Sequence, residues 1–132
     1  FNSLIFVNTK TGEKNQVDFP EDTKIGMPEQ IKIDSLDINL IFVRVNSSEQ
    51  NTNNKSYSFN PSKIIILSTD GKTKTQLTNN DFFVKHLTYN KNTGAMVVSG
   101  YYDNNKNNKF DEEDKSDIIL YDLKTFKVIN KN

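Results

Sequence analysis

Short apolar runs alternate with polar punctuation along the whole chain, and almost nowhere do they carry the 3.6-residue period of a helix. The runs are rich in β-branched and aromatic residues and end at Gly, Asn, Asp, Pro or Ser, which marks strands. The pattern predicts strands over residues 3–9, 14–18, 30–34, 39–46, 63–69, 73–78, 82–89, 95–102, 117–122 and 126–130. Three connections read as explicit turns. NTKTGEK (8–14), STDGKTK (68–74) and NKNTGAM (90–96) each place Gly where a hairpin needs a positive φ. The expectation is an all-β chain of antiparallel strands.

The strands also repeat in order. SLIFVNTKTGEKNQV (3–17), KIIILSTDGKTKTQL (63–77) and DIILYDLKTFKVI (117–129) are three versions of one hairpin, an apolar strand, a turn and a short polar strand. Between them lie two broader hairpins, EQIKIDSLDINLIFVRVN (29–46) and FFVKHLTYNKNTGAMVVSGYYD (82–103). Counted from Leu4, Ile64 and Ile118, the units run over residues 4–63 and 64–117, with a trailing hairpin at 118–132. Four short strands per repeated unit characterise β-propeller blades, whose usual period is about 40 to 50 residues. The fold expected is therefore about two four-stranded, propeller-like blades, with a β-sandwich of the same hairpins as the alternative.

The segment KIIILSTDGKTKTQLT resembles the TolB-like and related WD-type propeller repeats of bacterial periplasmic and surface proteins, in which a glycine turn leads into a strand closing on Leu-Thr. The chain departs from them in having no Trp and so no Asp-Trp pair. The resemblance implies propeller blades and an extracytoplasmic setting: periplasmic, secreted or on the cell surface.

Both units are lengthened at the same point, after the strand LIFVRVN in one and after MVVSGYYD in the other. In the second insertion Asp103, Asn105, Asn107, the backbone of Lys109, Asp111 and Asp114 fall at relative positions 1, 3, 5, 7, 9 and 12. That is the ligand spacing of an EF-hand-like loop, and it predicts bound calcium, a hard cation that takes six or more oxygens at about 2.3–2.6 Å. Asn108 stands where such loops carry Gly, and Asn tolerates the left-handed conformation required there. Asp114 replaces the usual bidentate Glu, and Phe110 occupies the apolar anchor position. Lys106, Lys109 and Lys115 weaken the site, so a loosely held structural ion is expected. The sister segment at 46–63 keeps Glu49, Asn51 and Asn53 but loses the later carboxylates and meets Pro61, and is expected to bind no ion.

Composition narrows the function classes. Seventeen basic residues balance seventeen acidic ones, which argues against a nucleic-acid partner. The longest apolar runs fall far below the roughly 18 residues of a membrane helix. With no Cys, disulfides and thiolate metal sites are excluded, and with one His no His-pair metal site can form. About one residue in seven is Asn, a bias that fits a bacterial source. Phosphate-loop and nucleophile-elbow motifs are absent. His86 reads as a half-buried strand residue. Asp34 with Asp37, and Asp111 with Asp114, read as turn or ion-ligand residues, although paired carboxylates also serve glycoside hydrolysis. Tyr57, Phe59, Tyr101 and Tyr102 read as strand-end aromatics, with a sugar- or protein-binding surface as their alternative role.

The reading is a non-enzymatic binding or scaffold module with a calcium-stabilised loop and a protein or glycan partner. The alternatives are a fragment of a larger propeller enzyme, a hydrolase or lyase, and a small carbohydrate-binding β-module. Ile64, Ile66, Val97 and Ile119 ask for a neighbouring sheet, and two blades cannot close a propeller of about four to eight. Either further blades of a longer chain or a homo-oligomer is expected to cover the sheet faces.

Overall fold

A computed structural model describes residues 3–21, 23–47, 62–102 and 115–131. The elements are β1 (Ser3–Val7), β2 (Lys14–Asp18), β3 (Thr23–Ile25), β4 (Glu29–Ile33), a 3-10 turn (Asp34–Leu36), β5 (Ile38–Ser47), β6 (Ser62–Leu67), β7 (Lys74–Gln76), β8 (Phe82–Asn90), β9 (Ala95–Tyr102), β10 (Lys115–Asp122) and β11 (Val128–Lys131). Every ladder is antiparallel. The chain is all-β, and among the described residues no helix is long and apolar enough to cross a membrane.

Each sheet takes its strands in chain order. The first is the hairpin β1–β2, and the third runs β8–β9–β10–β11. In the middle sheet β5 is long enough to pair β4 over Ile38–Phe42 and β3 over Val45–Ser47 along one edge, while β6 pairs its other edge and β7 follows. That sheet has five strands but is only four wide. Both larger sheets are thus sequential four-strand meanders, the topology of a propeller blade. By sheet, the units run from 23 to 76 and from 82 to 131, so the repeat counted from its apolar strand straddles two sheets.

Alternation along β5 and β6 decides the stacking. Ile38, Leu40, Phe42, Ile64 and Ile66 join one buried cluster with Phe82, Val84, Met96, Val98, Ile119 and Tyr121 of the third sheet. The intervening Val43, Val45 and Leu67 join a second cluster with Val17 and Phe19, against which Leu4 and Phe6 pack. The middle sheet is therefore covered on both faces, and the three sheets stack in chain order. Polar contacts tie the layers at their margins. Asn15 Nδ2 donates to the Asp70 carbonyl at 2.9 Å, and Lys74 Nζ donates to the Asp18 carbonyl at 3.1 Å while lying 5.0 Å from the Phe19 ring centre. Across the other junction Lys124 Nζ reaches the Asp37 carboxylate at 3.0 Å, and the Tyr89 hydroxyl donates to Glu29 at 3.2 Å.

Three of the hairpin turns share one construction, NTKTG at 8–12, NKNTG at 90–94 and DLKTF at 122–126. The opening Asn8, Asn90 or Asp122 accepts the amide two residues on through its side chain at 2.9, 2.8 and 2.8 Å. Its own carbonyl accepts the amide of the fifth residue, which closes the turn. That fifth residue has positive φ, 81° at Gly12, 74° at Gly94 and 66° at Phe126. Phe126 holds a conformation that the other two turns give to Gly, and its ring packs against the core between the second and third sheets.

Candidate binding face

Two strand junctions define one end of the stack. β5 and β6 part after the pair Asn46↔Ser62, and β9 and β10 part after the pair Tyr102↔Lys115. These are the same junction, between the second and third strands, in successive sheets. They lie at the same end, because the Ser62 hydroxyl donates to the Val84 carbonyl at 2.8 Å and β8 begins beside Tyr102, with Phe82↔Tyr102 as its first pair. The strand ends that flank residues 48–61 and 103–114 therefore stand at the same end of adjacent sheets.

A bulge in β8 builds the polar centre of this end. The ladder pairs Val84 with Gly100 and His86 with Ser99, leaving Lys85 as the extra residue. Bulging takes the Val84 and Lys85 carbonyls out of the regular ladder, and Arg44 of β5 collects both. Its Nη2 donates to each at 2.8 Å, and its Nε donates to Ser62 Oγ at 3.3 Å. Burial lowers the guanidinium pKa from its usual value. Gly100 permits the bulge, since a Cβ there would collide with the Phe83 carbonyl oxygen. Sequence reading missed Arg44, whose partners stand 18 to 41 residues away.

The aromatic pairs beside the junction are packed rather than displayed. Tyr101 is fully buried, edge-on to Phe83 at 5.5 Å, and Tyr102 is edge-on to Phe82 at 4.9 Å. Burial, and behind it the neighbouring Tyr102, pushes the Tyr121 phenol up to about 12. His86 is exposed, not half-buried: it follows the bulge and points to the side of the third sheet that faces away from the stack. There a shallow depression of about 520 Å³ is lined by Lys85, His86, Ser99, Gly100, Ser116, Asp117 and Ile118. Asp117 Oδ1 accepts the amide of Ile118 at 2.8 Å, within its own strand. Asp34 and Asp37 form the 3-10 turn between β4 and β5, with Asp37 at φ 56°.

The expected calcium ligands Asp103, Asn105, Asn107, Lys109, Asp111 and Asp114 lie outside the described residues, as do Glu49, Asn51, Asn53, Tyr57 and Phe59. Among the described residues no group of three or more His, Asp or Glu is placed to hold a metal ion. No family model, curated protein or solved structure matches the chain.

Proposed function

We propose that the chain is a non-enzymatic binding or scaffold module of propeller type, acting outside the cytoplasm, with its recognition surface at the end of the stack that carries segments 48–61 and 103–114. One observation carries the reading. Both insertions open from equivalent junctions of adjacent sheets, tied together through Ser62 and Val84. Repeat proteins concentrate binding where per-repeat insertions gather on one face. The paired strand junctions of two stacked sheets would give inserted segments a common base, and a glycan or a polar protein surface is the partner this reading expects.

Calcium belongs to the same proposal. The support is the 1, 3, 5, 7, 9, 12 spacing of oxygen donors in residues 103–114, flanked by the ladder pair Tyr102↔Lys115. The ion would be held by Asp103, Asn105, Asn107, the Lys109 carbonyl, Asp111 and Asp114. Its part is to neutralise these carboxylates and stiffen the loop. The surrounding lysines point to weak affinity, suited to a compartment with abundant calcium.

Melting curves test the ion. Millimolar calcium is expected to raise Tm, magnesium to raise it less, and Asp103→Ala to abolish the calcium response while Glu49→Ala leaves it intact. A Tm indifferent to chelation and calcium overturns the calcium site. A glycan array probed with calcium and with Asp103→Ala tests recognition, and turnover of any arrayed glycan contradicts a non-enzymatic role.

A further inference from the structure

Among the described residues, Asp37 at 56° and Phe126 at 66° are the residues other than glycine that hold a positive φ. They belong to different sheets, yet both line one cavity of about 230 Å³. It opens between the middle and third sheets at the end where β5 begins and β6 finishes, opposite to the end that carries Arg44 and Ser62. Lys124 joins its two sides, with Nζ donating to the Asp37 carbonyl at 2.8 Å and to the Asp37 carboxylate at 3.0 Å. Gly12 and Gly94 close the sister turns at the position of Phe126, so the aromatic residue is held there against its backbone preference. Residues held in this way gather at ligand-binding sites, and here the turn sets Phe126 on the cavity wall.

The walls divide by chemistry. Leu40, Ile66 and Leu123 are buried and give an apolar floor. Thr75 of β7 pairs with Ile66 and shares its face, and Thr73 precedes it in the turn. Both threonines are exposed, and among the described residues neither hydroxyl has a hydrogen-bond partner. The Ser68 hydroxyl is already engaged, since it donates to Asp70 Oδ1 at 2.7 Å and accepts the amides of Lys72 and Thr73. Charge at the mouth cancels: among the lining residues Asp37 is the one carboxylate, Lys124 the one cation, and the two are paired.

We propose that this cleft binds one neutral saccharide ring, at a site separate from the recognition end and independent of calcium. A pyranose presents hydroxyls around its rim and C–H groups on its faces. The Thr73 and Thr75 hydroxyls and the Asp37 carboxylate meet the first, and the Phe126 ring with Leu123 meets the second. The cavity is smaller than the roughly 300 Å³ at which drug-sized sites begin, so it takes a single ring rather than an extended chain. The paired charges select a neutral ligand, because a sugar acid or an amino sugar would have to compete with the Asp37–Lys124 bridge. An open cleft touches few ligand atoms, so affinity belongs to the millimolar class, roughly 1 to 10 mM.

Amide chemical shifts followed during titration with the methyl glycosides of glucose, galactose and mannose test it, with glucuronate and glucosamine as charged comparisons. At least one neutral glycoside is expected to move the amides of Thr75, Leu123 and Phe126 in a saturable way. Thr75→Val removes one hydroxyl from an exposed strand position, and Asp37→Asn keeps a residue type that accepts the left-handed turn. Each is expected to keep the wild-type circular dichroism and to weaken binding about five-fold or more. No saturable shift in the cleft up to about 50 mM of any neutral glycoside overturns the proposal. Wild-type affinity in both variants overturns it too, and tighter binding of glucuronate or glucosamine overturns the neutral class. Shifts confined to Arg44, Ser62 and Lys85 would place the sugar at the opposite end, which overturns this site while leaving the recognition end standing.

Discussion

At the scale of single residues, the glycines separate backbone strain from crowding. Gly12 has φ 81° with nothing within 4 Å of a Cβ, whereas Gly71 has φ 77° with Cδ1 of Phe6 2.5 Å from that position. Gly12→Ala therefore measures the left-handed conformation alone and is expected to cost about 1 to 2 kcal/mol. Gly71→Ala adds overpacking against the first sheet and is expected to cost about 1 to 3 kcal/mol more. Gly100→Ala, opposed by backbone that has nowhere to move, is expected to be the worst of the three. Urea unfolding of the set checks the order, and equal costs at Gly12 and Gly71 would remove the Phe6 contact from the account. The three turn glycines were legible in the sequence because each follows polar turn residues between apolar runs. Asp37, also at positive φ, was legible only as a turn residue, of a type that visits that region, whereas Phe126 was not legible, because an aromatic residue does not announce that conformation.

At the scale of elements, ten strands fall where the alternation of apolar and polar residues puts them. β3 was not legible: three residues between Pro20 and the Gly26–Pro28 stretch read as loop, and only the excess length of β5 gives them an edge to pair with. The β8 bulge was equally hidden, since nothing in FFVKHLTY marks Lys85 as the unpaired residue. Its carbonyls give Arg44 and Ser62 a shared acceptor in Val84. Arg44→Met is expected to cost about 1.5 to 3 kcal/mol and Ser62→Ala about 1. Because both donate to one oxygen, the double variant is expected to depart from additivity by more than about 0.5 kcal/mol. A double-mutant cycle in urea that closes additively would mean that the two side chains act separately.

At the scale of the whole molecule, the layers differ in how much covers them. β5 and β6 are packed on both faces, β1–β2 on one, and β11 ends the third sheet at its edge with Val128 and Ile129 exposed. Amide hydrogen exchange is therefore expected to be slowest in β5 and β6 and faster by orders of magnitude in β1, β2 and β11, since local opening there uncovers less apolar surface. Protection of β1–β2 equal to that of β5 would show that the first hairpin is held by more than its contact with the middle sheet. The candidate recognition end was legible only as two long insertions at matching points of the repeat; that their strand junctions stand side by side depends on Ser62 meeting Val84 across the sheets.

The period-two alternation, the turn glycines and the repeated hairpin belong to the sequence alone. They are local properties, set by where a side chain can point on a pleated strand and by which residues tolerate positive φ. Which apolar face meets which neighbour was decided only by the tertiary structure. Ile64 and Ile118 are the same residue type at the same position of the same hairpin, and one is fully buried while the other is half exposed. Nothing in their local sequence distinguishes them. Burial is a property of the sheet that stands opposite, and a strand's own residues cannot encode whether that sheet is there.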